Sequence, residues 1–114
     1  MTTITTHVLD TSRGRPAAAV AVVLERQDEE QGWARVGGGR TDEDGRVKTG
    51  LAPDGGVGSG TYRLRFETGA WFRARGVEAF WPEVQIAFEV RAGEEHHHVP
   101  LLLSPFGYST YRGS

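Results

Sequence analysis

The chain has 114 residues and a formal charge of −2, from 13 Lys and Arg against 15 Asp and Glu, which suits one domain and lacks the basic excess that nucleic-acid binding requires. No apolar run approaches the ~20 residues of a membrane-spanning helix, no basic segment leads into an apolar one as in a secretory signal, and Arg-Gly-Ser is not a peroxisomal ending, so the expected location is cytoplasmic. Cysteine is absent, which excludes disulfides, thiol catalysis and cysteine-ligated zinc.

Sixteen glycines and five prolines argue for many turns and against long helices, which glycine weakens by about 1 kcal/mol per position. Period-two alternation recurs between turn signals, the pattern of strands. A first strand is expected over Thr3 to Asp10, a turn over Ser12 to Pro16, and a second strand over Ala18 to Arg26 with Val20, Val23 and Leu24 apolar. Gln27 to Gly32 reads as a hairpin loop, and Trp33 to Val36 opens a third strand. Asp44-Gly45 is a tight-turn dipeptide, followed by a short strand over Arg46 to Leu51 and a glycine-rich loop over Ala52 to Gly60. Thr61 to Thr68 alternates, with Tyr62, Leu64 and Phe66 on one face. Gly69 to Gly76 has helical composition. Further strands are expected over Glu83 to Val90, His97 to Leu103 and Tyr108 to Arg112. About eight short strands and one short helix make an all-β chain, normally packed as a two-sheet antiparallel β-sandwich around one core; a closed barrel is the alternative.

Side-chain direction then sorts the polar groups. On the first strand Ile4 and Val8 share the face that should point inward, leaving Thr3, Thr5 and His7 outward. On the histidine-rich strand Val99, Leu101 and Leu103 point inward, with His97 toward the same side, while His96, His98, Pro100 and Leu102 face out. A lone strand histidine is usually solvated or structural. His96 and His98 share a face, but two ligands make an incomplete zinc site, and no metal or cofactor is expected. Val57 to Gly60 and Gly37 to Gly39 are glycine-rich without the Lys-Ser/Thr of a phosphate loop, and no Gly-X-Ser-X-Gly elbow is present. A chain end is usually frayed, yet this one carries Tyr108, Tyr111 and Arg112 directly after an apolar run that must be buried.

That tail, His96-His97-His98-Val99-Pro100-Leu101-Leu102-Leu103-Ser104-Pro105 followed by Tyr108-Ser109-Thr110-Tyr111-Arg112-Gly113-Ser114, resembles the C-terminal signature of the 5-hydroxyisourate hydrolases, the enzymatic branch of the transthyretin-like family. Thr5 to Thr11 with Gly14-Arg15-Pro16-Ala17, and Thr41-Asp42-Glu43-Asp44-Gly45-Arg46, match as well, so the resemblance spans nearly the whole chain. It implies a single transthyretin-like domain over residues 1–114, with the first, histidine-rich and last strands adjacent in one sheet. By the same resemblance His7, Arg46 and His98 are the catalytic groups. His7 and His98 position and deprotonate water, Arg46 binds and polarises the substrate, Tyr111 contacts it and Ser114 closes the pocket. The implied reaction opens 5-hydroxyisourate to 2-oxo-4-hydroxy-4-carboxy-5-ureidoimidazoline in urate degradation, in a homotetramer built as a dimer of dimers. Transthyretin itself carries a hormone on this fold, but that branch lacks the Tyr-Arg-Gly-Ser ending and the histidine pair. The family more often has tyrosine where this chain has His97, a departure that bears on packing rather than chemistry.

Overall fold

The structure is a computed structural model that describes residues 1–114. In chain order its elements are β1 (Thr3–Asp10), β2 (Arg15–Pro16), β3 (Ala21–Asp28), β4 (Gly32–Arg40), β5 (Gly60–Phe66), α1 (Thr68–Ala74), β6 (Val84–Val90), β7 (His96–Leu103) and β8 (Tyr108–Thr110). The strands form two four-stranded sheets, ordered β2-β1-β7-β8 and β4-β3-β5-β6.

The expected alternation holds where it matters for the site. Ile4, Thr6, Val8 and Asp10 are buried, whereas Thr5, His7 and Leu9 are half-exposed and Thr3 is exposed. On β7, His97, Val99, Leu101 and Leu103 are buried, and His96 and His98 lie on the other face. Tyr62, Leu64 and Phe66 of β5 meet Val22 and Leu24 of β3 and Val8, Leu101 and Leu103 of the facing sheet in one apolar cluster. Burying side chains of this size stabilises by roughly 1.5–3 kcal/mol each. The polar ends of two buried aromatics find partners: the Trp71 indole N–H donates to the Ala18 carbonyl at 2.7 Å, and the Tyr62 hydroxyl to the Gly58 carbonyl at 2.8 Å.

Four local differences from the sequence expectation have physical reasons. The pairing is antiparallel throughout except between β1 and β7, which run parallel in unbroken register from Thr3↔His96 to Asp10↔Leu103. The turn expected over Ser12 to Pro16 closes into a two-residue strand, β2, against Leu9 and Asp10. In β3 Val22 and Leu24 are the buried apolar residues while Val23 is half-exposed, Val20 being buried just before the strand; a bulge between Leu24 and Glu25 buries both. Arg46 to Leu51 is not a strand. Arg46 forms one isolated antiparallel bridge with His7. By Gly50 the segment has crossed to the other sheet, where the Gly50 carbonyl accepts from the Gly38 N–H at 2.9 Å. A segment held at its two ends by different sheets cannot run along either.

Leu64 is fully buried in the sheet remote from the histidines. Leu64→Ala is expected to lower unfolding free energy by about 2–5 kcal/mol in urea titrations while the sheet signal in circular dichroism is retained.

Candidate active site

The outer face of the β2-β1-β7-β8 sheet carries the polar constellation. β1 supplies His7 and β7 supplies His98, two rungs apart: Thr5 stands opposite His98, and His7 opposite Pro100. Arg46 is bridged to His7 on the flank of β1, and Gly113 to His98 on the flank of β7. Four backbone segments therefore lie side by side, spanning roughly 14 Å at the ordinary strand spacing.

Each flank is built for close approach. The loop before Arg46 is folded by Asp42, whose Oδ1 accepts from the N–H groups of Asp44 at 2.9 Å and Arg46 at 3.0 Å. Those bonds, the one from Arg46 above all, hold the Asp42 carboxyl below the usual aspartate range. Gly45 takes φ +79°, and a Cβ there would stand 2.4 Å from the Val8 carbonyl oxygen and 3.2 Å from Cδ2 of His7. On the other flank the Gly113 N–H donates to the His98 carbonyl at 2.8 Å, and a Cβ on Gly113 would sit 2.6 Å from Cδ2 of His98. A glycine thus lies against each ring, where a side chain would displace the imidazole.

Burial, followed by the charges of Arg46, His7 and His96, holds the His98 imidazole below the usual histidine value. The ring therefore favours its neutral form. Nδ1 of His98 lies 2.8 Å from Oγ1 of Thr5, and the same oxygen lies 3.0 Å from Nε2 of His96.

The tail is pinned by a second cluster. Arg112 pairs with Oε2 of Glu94 at 3.1 Å, and Nε2 of buried His97 stands 3.1 Å from Oε1 of the same carboxylate. The Arg91 N–H, the leading cause, and His97 together hold Glu94 below the usual glutamate range. A cavity of about 400 Å³ opens here, lined by Phe88, Glu94, His97, His98, Tyr111 and Arg112 among others.

Of the expected site residues, the structure brings His7, Arg46 and His98 onto one face. Tyr111 is 58% exposed and shares the cavity with His98, while His7 and Arg46 do not line it. Ser114 is exposed, one residue beyond the Gly113 bridge. Sequence reasoning gave no role to Thr5, Asp42, Glu94 or Gly113. The available signal was parity for Thr5 and position within the matched motifs for Asp42 and Gly113; Glu94 had none.

An eight-stranded two-sheet sandwich with a polar, histidine-bearing outer sheet face defines a transthyretin-like protein. The family model described as HIUase/Transthyretin family matches residues 4–113, and the chain belongs to that family. A 5-hydroxyisourate hydrolase of Salmonella dublin is 46% identical over 111 residues, covering 97% of this chain and 80% of that protein. Among solved structures, Klebsiella pneumoniae 5-hydroxyisourate hydrolase superposes with a TM-score of 0.88 at 39% identity over 100% of both chains. Sea bream transthyretin in complex with thyroxine superposes with a TM-score of 0.89 at 30% identity, over 96% of this chain and 93% of that one.

The depressed His98 value has a definite sign. The unfolded chain binds the His98 proton more tightly than the folded one, so this contribution to stability is complete above the unfolded histidine value and declines as pH falls below it. The His98 ring is expected to titrate below the value of about 6.5 that marks an unperturbed histidine, when followed by proton resonance. Arg46→Gln should raise that midpoint without restoring it fully, because burial remains.

Proposed function

We propose that this chain hydrolyses 5-hydroxyisourate, opening the ring to 2-oxo-4-hydroxy-4-carboxy-5-ureidoimidazoline in urate degradation, by metal-free general-base activation of water. The observation that carries the reading is the paired flanking of β1 and β7: Arg46 beside His7 and Gly113 beside His98. The relatives named above, which act on this substrate at 46% and 39% identity, support it.

The substrate is a small, flat, carbonyl-rich ring. A neutral imidazole takes a proton from water as its oxygen bonds to the ring carbonyl carbon. Such help is worth about 10²- to 10⁴-fold. The carbonyl oxygen gathers negative charge, and the Arg46 guanidinium offers it paired N–H donors in a fixed fork. The tetrahedral adduct collapses with cleavage of the C–N bond. The proton returns to the departing nitrogen and a carboxyl group remains. A histidine held in its neutral form suits the first step, which is the use the depressed His98 value supports. Tyr111 and Ser114 are read as substrate-binding groups at the tail.

The same reading includes a homotetramer arranged as a dimer of dimers, in the cytoplasm. Exposed Phe80, Trp81 and Tyr108 form a continuous aromatic surface, with ring centroids 4.8 Å and 5.5 Å apart, and exposed apolar patches of this kind are interaction surfaces. The edges of β6 and β8 carry no partner strand within the chain, which leaves backbone groups for pairing between subunits. Assembly would bring tail residues of one protomer toward the His7 and Arg46 of another.

5-Hydroxyisourate generated with urate oxidase is expected to lose its ultraviolet absorbance faster with this protein than in the protein-free blank. His7→Asn and His98→Asn should each remove at least about 10²-fold of that acceleration with circular dichroism unchanged. Arg46→Lys should cost roughly 3–4 kcal/mol of barrier if the fork is what stabilises the oxyanion. Equal decay with and without the protein would refute the hydrolase reading. Light scattering should give four chains, and a fully active monomer would refute the tetramer.

A further inference from the structure

Two parallel strands in register repeat the same cross-strand pairing at every second residue. On the outer face of β1 and β7 that repeat places Thr3 opposite His96 and Thr5 opposite His98. The four side chains are joined end to end. His98 Nδ1 lies 2.8 Å from Thr5 Oγ1 and Thr5 Oγ1 lies 3.0 Å from His96 Nε2. His96 Nδ1 lies 2.5 Å from Thr3 Oγ1, and the Thr3 hydroxyl reaches the Glu95 carbonyl at 3.3 Å.

The last bond sets the direction of all the others. A carbonyl oxygen has no proton to give, so the Thr3 hydroxyl donates to it. Its single hydrogen is then used, and the Thr3 oxygen accepts from His96 Nδ1–H. A neutral imidazole carries one N–H, so His96 Nε2 is an acceptor and takes the Thr5 hydrogen. The Thr5 oxygen in turn accepts from His98 Nδ1–H. The tautomer so assigned from the hydrogen-bond network leaves the lone pair of His98 on Nε2. Only this direction makes all four bonds; the reverse would give the Thr3 hydrogen to His96 Nδ1 and leave the Glu95 carbonyl with the Thr3 N–H at 2.9 Å alone.

From this geometry we infer that Thr3, His96 and Thr5 form a positioning chain that locks His98 in the tautomer with a free Nε2 and so makes His98, not His7, the general base. The inference rests on the hydrolase reading and resolves which histidine removes the proton. His7 faces Pro100 on its own rung, and a proline side chain offers no polar group to fix a tautomer. His7 is left to hold water or substrate beside Arg46. The bond made by one ring nitrogen decides which tautomer an imidazole adopts, so the identity of the residue opposite each histidine separates the two roles.

The proton's place is read directly in the unmodified protein by long-range ¹H–¹⁵N correlation of the imidazoles, at a pH above the His98 titration. Both His98 and His96 are expected to carry hydrogen on Nδ1 with Nε2 bare; a His98 with its hydrogen on Nε2 overturns the inference. Thr5→Val removes the hydroxyl at nearly constant shape. It should lower kcat by about 10- to 100-fold, the cost seen when a hydrogen-bond partner that orients a metal-bound imidazole is removed, leave KM within about 2-fold, and shift the His98 spectrum toward the Nε2–H form. Thr5→Ser should restore both rate and spectrum. If Thr5 merely staples the two strands, Thr5→Val lowers the unfolding midpoint while kcat and spectrum stay unchanged, and the inference fails. A wild-type protein with no hydrolase activity overturns the base assignment together with the reading it rests on, whereas the spectrum still decides where the proton lies.

Discussion

The parallel pairing of β1 with β7 is the constraint on which the rest of the site depends. Eight consecutive rungs, Thr3↔His96 to Asp10↔Leu103, join strands about ninety positions apart in sequence. Register in a sheet with one buried face is strongly specified, because a slip of one residue would turn every apolar side chain outward. Here the inward sets are Ile4 and Val8 on one strand and Val99, Leu101 and Leu103 on the other. The apolar core therefore fixes the alignment of the polar outer face. Threonines meet histidines on the far side because valines and leucines must meet the core on the near side.

Around that pair the chain spends its conformational freedom on close approach. The loop folded by Asp42 brings Arg46 to the β1 flank through a glycine at positive φ, a conformation that side chains with a Cβ rarely adopt. The tail reaches the β7 flank through Gly113, which lies against the His98 ring. Glu94 then ties Arg112 and His97 together, which gives the buried imidazole a charged partner at the base of the tail. The His97 ring also lies 6.2 Å from that of Phe88. A terminus held by a backbone bridge, an ion pair and a buried strand is not free to fray.

Electrostatics and hydrogen bonding act on the two histidines differently. His98 is partly buried and lies within the field of Arg46, His7 and His96, all of which disfavour its proton. Its Nδ1 is engaged by Thr5. His7 has Arg46 beside it through backbone pairing. Two residues of the same type on adjacent strands thereby acquire separate environments, which is how one chemistry can use one as a base and the other to hold what the base acts on.

Much of this was legible from the chain itself. Period-two alternation determined which side of β1 and β7 carries His7 and His98, since parity follows from local geometry alone. The turn residues Asp44-Gly45 marked the loop that delivers Arg46. The tail's motifs pointed to the family to which the chain belongs. Other features needed the folded structure. Whether β1 and β7 run parallel, and which threonine faces which histidine, is a non-local fact, because register depends on how the whole core packs. Arg46 to Leu51 read as a strand from composition, but its ends are held by different sheets, and no local pattern records that. Glu94 sits in a turn with nothing in its neighbours to distinguish it, and it becomes the anchor of the tail only once residues eighteen positions apart are brought within hydrogen-bonding distance.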